Sequence, residues 1–364
     1  MVRIGTRCTG CLACVASCPR GAIAVNRDEM SITIDQAKCI QCGRCEYVCP
    51  SIVPVSSYQT RRIYSGYADD KRILGKSSSG GIFSVLANHV LNLGGVVCGA
   101  AYDNEFQVIH TIVESNDELD RLLGSKYVHS YISPQIYESI RLFLANRLVL
   151  FSGTPCQIAG LRNYLGNCEK NLITVEVICH GIVEPYIWNA YLRDYHRKEI
   201  RHFEMRSKRT GWAGCKFAFH VEYCDGSRYT RMNKVEPYMI AFANDICLRE
   251  SCYNCYYRSA RVADISLSDF WGVERTSHVQ NLLGGTSRIQ INTAVGQQIW
   301  DSIEKKIISE AIDEKNHNAA IPHERMHRLK PKFERKIKNQ GFRSALYGSI
   351  ISVYVNKLIR RIKR

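Results

Sequence analysis

The chain has 364 residues, 45% hydrophobic and 23% charged, an ordinary globular composition that suits roughly two domains. No stretch approaches the ~18 consecutive apolar residues of a membrane span, and "MVRIGTRC" holds no apolar signal core, so a cytoplasmic, reducing location is expected. The formal net charge of +15 is concentrated in the last third; nucleic acid is set aside as a partner, because anionic clusters and a phosphate-bearing cofactor would offset part of it.

Cys8, Cys11, Cys14 and Cys18 precede Pro19, and Cys39, Cys42, Cys45 and Cys49 precede Pro50 with the same spacing. C-x2-C-x2-C-x3-C-P, given twice, is the pattern of a two-cluster bacterial ferredoxin. Thiolates two residues apart lie on one tight loop that wraps a cubane, with Gly10 and Gly43 easing the turn. The fourth cysteine of each run belongs to the other cluster. Cys8, Cys11, Cys14 and Cys49 are therefore assigned to one 4Fe-4S cluster, and Cys39, Cys42, Cys45 and Cys18 to the second. Between them, "GAIAVN" and "SITID" read as two short paired strands. Zinc is the competing reading of any C-x2-C pair, but two complete runs closed by proline favour iron.

"SIVPVSSYQT" reads as a linker, and "GKSSSGGIFSVLANHVLNLGGVVCGAAYD" as a polar loop, a helix with Ile82, Phe83, Val85, Leu86, Val90 and Leu93 apolar, a Gly94-Gly95 stop and a strand. Ser78, Ser79, Gly80 and Gly81 stand where backbone N–H groups and the helix dipole would face an anion. A plain helix cap with packing glycines explains the loop equally well.

"RLVLF" is a strand running into "SGTPCQIAGLRNYL", and "NLITVEVI" is a strand ending at "CHGIVEP". In open α/β sheets the site forms beyond the carboxyl ends of strands, so Cys156 and Cys179 are expected to converge. Cys252 and Cys255 form a further C-x2-C before a strand from Asp264 to Asp269, and would complete four thiolates for a third cluster; Cys247 is the rival fourth ligand. Cys98, Cys168, Cys215 and Cys224 have no partner spacing and are read as structural. "GWAGCKFAFHVEYCDGSRYTR" reads as a β-hairpin turning at Asp225-Gly226, expected to border the substrate opening as an insertion.

Taken together, "SSSGGIFSVLANHVL", "LLGSKYVHSYI", "FSGTPCQIAGL", "VICHGIVEP", "FEMRSKRTGW", "SCYNC" and "RVADISLSDFWG" resemble the beta-subunit family of coenzyme F-420 hydrogenases and dehydrogenases, which also contains a plant chlorophyll-cycle reductase. These blocks span roughly residues 65 to 275. The resemblance implies an α/β flavoprotein that binds FAD and one 4Fe-4S cluster and passes electrons between iron-sulfur centres and a two-electron acceptor. It further implies that Ser79, Gly80 and Gly81 cradle FAD phosphates, that Ser125, Lys126 and Tyr127 lie near the flavin, and that Thr154 and the turn Asp269, Phe270, Trp271 and Gly272 complete the pocket. Lys126 is the catalytic candidate, a fixed cation favouring negative charge on the reduced ring. Cys156, Cys179, Cys252 and Cys255 would hold the third cluster.

A ferredoxin module fused at the N-terminus implies electron entry from a soluble ferredoxin or another redox protein; the family resemblance implies that the flavin then exchanges hydride with coenzyme F-420 or another organic substrate, some relatives serving surface-polysaccharide synthesis. A relay subunit without its own substrate is the competing reading. "SALYGSIISVYVNKLIRRIKR" reads as a helix with Leu346, Ile350, Val353 and Leu358 on one side and a cationic end. It is expected to dock on its own domain or a partner in preference to an anionic membrane surface, and homo-oligomerisation is left open. The expected fold is an α+β ferredoxin-like N-terminal module plus an α/β flavin-binding domain with a mixed sheet and a helical C-terminal extension. Its boundaries fall at 1–57, 58–145, 146–310 and 311–364.

Overall fold

A computed structural model describes residues 5–213, 216–273, 277–313 and 329–362, with side chains in the last helix through Ser349. Chain order gives β1 (Ile23–Asn26), β2 (Ser31–Ile34), β3 (Arg62–Ala68), β4 (Val96–Tyr102), β5 (Val108–Val113), β6 (Val149–Gly153) and β7 (Leu172–Val177). There follow β8 (Ile200–Ser207), β9 (Ala218–Tyr223), β10 (Arg228–Met232), β11 (Ile265–Asp269), β12 (Ser287–Ile291) and β13 (Ile307–Ala311).

Eight of these strands form one mixed sheet in the order β13-β3-β12-β11-β7-β6-β4-β5. β4, β6, β7 and β11 run parallel at its centre, and the flanking neighbours pair antiparallel. The central segments are nearly continuous apolar runs, as strands covered on both faces must be. One face packs Val97, Leu150, Ile173, Val175 and Ile265 against the helices Ile82–Asn92 and Ala294–Ile303. The other packs Val96, Cys98, Val149 and Phe151 against the helices Pro134–Phe143 and Pro155–Leu165. Each fully buried aliphatic side chain contributes about 1.5–3 kcal/mol, so the two faces together fix the sheet. Gly94, at φ +74, follows the first of these helices where the glycine pair is expected to stop it.

Between β7 and β11 the chain builds a second unit: the helix Pro185–Tyr195, the antiparallel sheet β10-β9-β8 and the helix Pro237–Ala243. Its β9–β10 hairpin turns at Gly226, φ +81. The last helix, Lys330–Ile362, is kinked at Gly341 and lays Phe333, Phe342 and Leu346 among Trp188, Tyr191, Phe219 and Tyr238. The C-terminal segment is thus an internal layer of this unit as far as Leu346. Ile350, Val353 and Leu358 lie beyond the described side chains, and Cys215 beyond the described residues. Among the described residues no helix is long and apolar enough to cross a membrane.

The N-terminal segment, with β1 and β2 antiparallel, docks on the second face of the large sheet. Cys11, Ala13, Ile23 and Val48 share that core with Tyr137, Ile140, Ile158 and Leu161. Tyr137 donates its hydroxyl to the Cys11 carbonyl at 2.6 Å, and Tyr257 donates to the Pro50 carbonyl at 2.8 Å.

Candidate iron-sulfur sites and the adjoining cavity

The two cysteine runs curl by the same device. Each places left-handed residues at two matching positions, Gly10 (φ +69) and Leu12 (φ +66) in the first, Gln41 (φ +54) and Gly43 (φ +75) in the second. Glycine occupies a different one of the two positions in each run. A Cβ on Gly10 would stand 2.1 Å from His129 Cε1, so only glycine allows that loop to approach the body. Gln41 is exposed and carries a side chain at a left-handed cost of about 1–2 kcal/mol.

Cys11, Cys14 and Cys49 are buried. Burial, followed by Cys8, Cys49 and Cys45, pushes the Cys14 thiol up to about 12. Burial and then Cys14, with Cys8 and Cys156, raises Cys11; burial, with a smaller push from Cys8, raises Cys49. Cys8, Cys11, Cys14 and Cys49 therefore share one locality, against the body. Cys18, Cys39, Cys42 and Cys45 line a separate small hollow with Pro19, Ala22 and Ile34, where Ala22 N–H donates to Cys18 Sγ at 3.3 Å. Cys42 is exposed, so this second site is the outer one.

A third group of thiols lies inward of the first. Cys156 opens the helix after β6, Cys179 follows β7, and Cys252 and Cys255 flank the end of the short helix Glu250–Tyr253. Burial is the largest influence on all of them. It acts with Cys255 and Cys252 to push Cys156 to about 12, and with Cys252, Cys156 and Cys255 to raise Cys179 well above the ordinary thiol range. Cys252 is pushed to about 11, again by burial. Cys247 instead lies fully buried in the aromatic core of the second unit, with Lys330 and Asp245 as its charged neighbours. Among the described residues no three His, Cys, Asp or Glu side chains are grouped closely enough to hold a single metal ion. The inner and third groups adjoin across the helix Pro155–Leu165, where a Cβ on Gly160 would stand 2.8 Å from Cys11 Sγ. Cys98 is buried in β4, whereas Cys168 and Cys224 are exposed and form no part of the core.

Beyond Cys179 lies a cavity of about 750 Å³, at the carboxyl ends of β6, β7 and β11. Its wall carries Lys126, Arg206, Arg258, Arg261 and Arg288 against one acidic side chain, Asp269. The helix Ile82–Asn92 begins at this wall from Gly81 (φ +82) with no side-chain cap, leaving first-turn N–H groups for a ligand. Of the residues singled out by the family resemblance, Ser79, Gly81, Ser125, Lys126, Tyr127, Thr154, Asp269, Phe270 and Trp271 line the cavity.

Gly80 and Gly272 are not part of that wall. Gly80 donates its N–H to Ser287 Oγ at 3.0 Å, and a Cβ there would stand 2.6 Å from the Gly66 carbonyl, so it packs loop against sheet. Gly272 supplies a turn at φ +78. The Ser79 hydroxyl donates to the Thr286 carbonyl at 3.1 Å. Thr154 Oγ1 donates to Gln157 Oε1 at 3.1 Å and stands 3.2 Å from Cys156 Sγ, joining the cavity wall to the third thiol group. The Lys126 ammonium donates to the Leu123 and Gly124 carbonyls at 2.8 and 3.2 Å, and burial pulls its pKa down to about 7.

Several wall residues escape sequence reading. Arg206 pairs with both Asp269 oxygens, at 2.7 and 3.2 Å. Lys208, behind the wall, donates to the carbonyls of Leu74, Ser79 and Gly284, and burial pulls it to about 7. Both lie in "FEMRSKRTGW", where a cation two residues from another was the available signal. His110 and His129 are buried lone histidines with no such signal; burial lowers both, His110 to about 4. The second unit reaches the cavity through Arg206, Phe217, Met239 and Phe242; among the described residues the Asp225-Gly226 turn is not part of the wall.

Comparison with known proteins places this geometry. The family described as coenzyme F420 hydrogenase/dehydrogenase, beta subunit, matches with its N-terminal part at residues 63–136 and its C-terminal part at 146–316; a 4Fe-4S dicluster domain matches at 7–53. An F(420)H(2) dehydrogenase subunit of Methanosarcina mazei is 21% identical over 324 residues, 82% of this chain and 83% of that protein. A subunit of the ion-translocating oxidoreductase complex of Methanosarcina acetivorans is 49% identical over 43 residues, 12% of this chain and 16% of its own length. Among solved structures, a chain of the F420-reducing [NiFe] hydrogenase complex from Methanosarcina barkeri shares the fold at a TM-score of 0.50 and 19% identity, covering 84% of this chain and 94% of that one. The chain is an iron-sulfur oxidoreductase of the coenzyme F420 hydrogenase/dehydrogenase beta-subunit family, with a 4Fe-4S dicluster domain at its N-terminus.

Proposed function

We propose that the protein passes single electrons inward through three 4Fe-4S clusters to FAD, which serves a two-electron acceptor, coenzyme F-420 or another organic substrate. The observation that carries this reading is the succession of thiol groups: an exposed outer site, an inner site beside it, and a third group that adjoins Cys11 on one side and the cavity on the other. The outer cluster would be held by Cys18, Cys39, Cys42 and Cys45, the inner by Cys8, Cys11, Cys14 and Cys49, and the third by Cys156, Cys179, Cys252 and Cys255. The last four thiols are buried and act on one another, and four cysteine thiolates are the ligand set of a 4Fe-4S cluster.

The cavity fits a dinucleotide in size, in its cationic wall and in its uncapped helix start. A bound flavin would supply the exchange between one-electron and two-electron chemistry. Ser79, Gly81 and the first turn of the helix would hold phosphate, with Gly80 shaping the loop from behind. Lys126 would keep its proton once an anion entered, and its fixed charge would favour negative charge at that point. Arg206, clamped by Asp269, would hold Trp271 and Phe217 in place, its guanidinium 4.2 Å from the Phe217 ring centre.

Anaerobic purification followed by iron, sulfide and flavin analysis tests the reading. About twelve irons and one FAD per chain are expected, Cys156→Ala should retain about eight irons, and Cys247→Ala should retain all. Iron for two clusters without flavin would favour a relay subunit, a reading encouraged by relatives named as subunits of larger complexes.

A further inference from the structure

Arg249 is 6% exposed and lies at the junction between the N-terminal module and the body. Its guanidinium donates to three carbonyls of the module: Nε to Cys8 at 2.8 Å, Nη1 to Glu29 at 2.9 Å and Nη2 to Met30 at 3.2 Å. Nη1 also donates to Glu184 Oε1, on the body side, at 3.1 Å. The Arg249 backbone is pinned as well: its N–H donates to the Ile182 carbonyl at 2.8 Å, and its own carbonyl accepts from Cys252 N–H at 3.0 Å. One residue therefore grips the loop of Cys8 with its side chain and the loop of Cys252 with its main chain. Three residues before Cys252 and hydrogen-bonded to its N–H, Arg249 thus stands beside the third group of thiols as well as the first.

We propose that Arg249 is the positioning residue that couples the inner cluster to the third one: it fixes the two ligand loops against each other and raises the reduction potential of both clusters. The inference rests on the cluster reading above. In the step concerned the inner cluster loses one electron and the third gains it. A reduced cluster carries one more negative charge, so a buried guanidinium beside it favours the reduced form, and burial spares that charge from salt screening. The planar fork matters as much as the charge, because a lysine ammonium cannot reach carbonyls of Cys8, Glu29 and Met30 in that divergent geometry.

Redox titrations of the anaerobically purified full chain, followed by electron paramagnetic resonance, test this with three variants. Arg249→Gln is expected to lower the midpoint potentials of the inner and third clusters. Glu184→Gln, which leaves the guanidinium uncompensated, is expected to raise them. Arg249→Lys is expected to keep potentials close to the parent while slowing electron arrival at the third cluster after rapid reduction of the module. A merely structural role would not move the two charge variants in opposite directions. Potentials that stay put in both, or shift the same way, overturn the proposal; if Arg249→Gln fails to retain iron, an unshifted Glu184→Gln together with an unslowed Arg249→Lys overturns it. A parent chain with no third-cluster signal overturns the cluster reading and this proposal together, whereas full iron with unshifted variants overturns this proposal alone.

Discussion

The loop from Cys8 to Cys14 and the loop from Cys39 to Cys45 share spacing and backbone, including left-handed residues at the same two positions. Their surroundings differ. In the first loop Leu12 is 2% exposed and Gly10 lies under His129; in the second Ile40 is 60% exposed, Gln41 is exposed and nothing lies within 4 Å of where a Gly43 Cβ would be. Docking, and not the repeat itself, separates a buried site from an exposed one. Whichever glycine faces the body becomes obligatory, and the matching position in the other run is free to vary.

The largest effect expected from this contrast is at Gly10. Gly10→Ala places a methyl group against His129 and a side chain at φ +69, at about 1–2 kcal/mol for the left-handed backbone and about 1–3 kcal/mol for overpacking. Denaturant titration should show the loss, and iron analysis should show the inner cluster leaving before the outer one. A variant as stable and as iron-rich as the parent would break the contrast.

Metal removal gives an intermediate effect. In the native chain a chelator should strip the exposed outer site first, seen as sequential loss of two spectroscopic signals. In the apo-chain the sign follows from Cys14: burial holds its thiol protonated up to about pH 12, so loading iron releases protons and becomes more favourable as pH rises. Reconstitution of the inner site should therefore keep improving above about pH 9, where an ordinary thiol is already ionised. Equal yields would show that these thiols are not held neutral by their surroundings.

Gln41→Gly should do least. It relieves a left-handed side chain and adds freedom to the unfolded chain, two opposing changes that leave stability within about 1 kcal/mol of the parent. A large loss would mean that the Gln41 side chain is held by a contact, and that the outer loop is less open than its exposure indicates.

Much of the architecture is legible in the sequence because it is local. The cysteine spacing, the stop at Gly94, the hairpin at Gly226 and the strands running into Cys156 and Cys179 each depend on a few adjacent residues. The choice of Cys156 over Cys247 as neighbour of Cys179 needed the fold, since Cys247 is closer in sequence to Cys252 but faces the aromatic core. Arg249, His129 and Lys208 act through carbonyls and glycines more than a hundred residues away, or through loops that meet only in the folded chain. Gly80 illustrates the reverse error: the sequence pattern offers its N–H to an anion, whereas in the folded chain that N–H is directed to Ser287.

The close contact between Cys11 and the helix at Gly160 bears on how the protein ages in air. A module that packs Cys11, Ala13, Ile23 and Val48 into the core of the large sheet cannot swing between donor and acceptor like a tethered shuttle. Loss of a cluster held by Cys11 would therefore loosen an apolar face shared with Tyr137 and Ile158, and expose hydrophobic surface that favours aggregation.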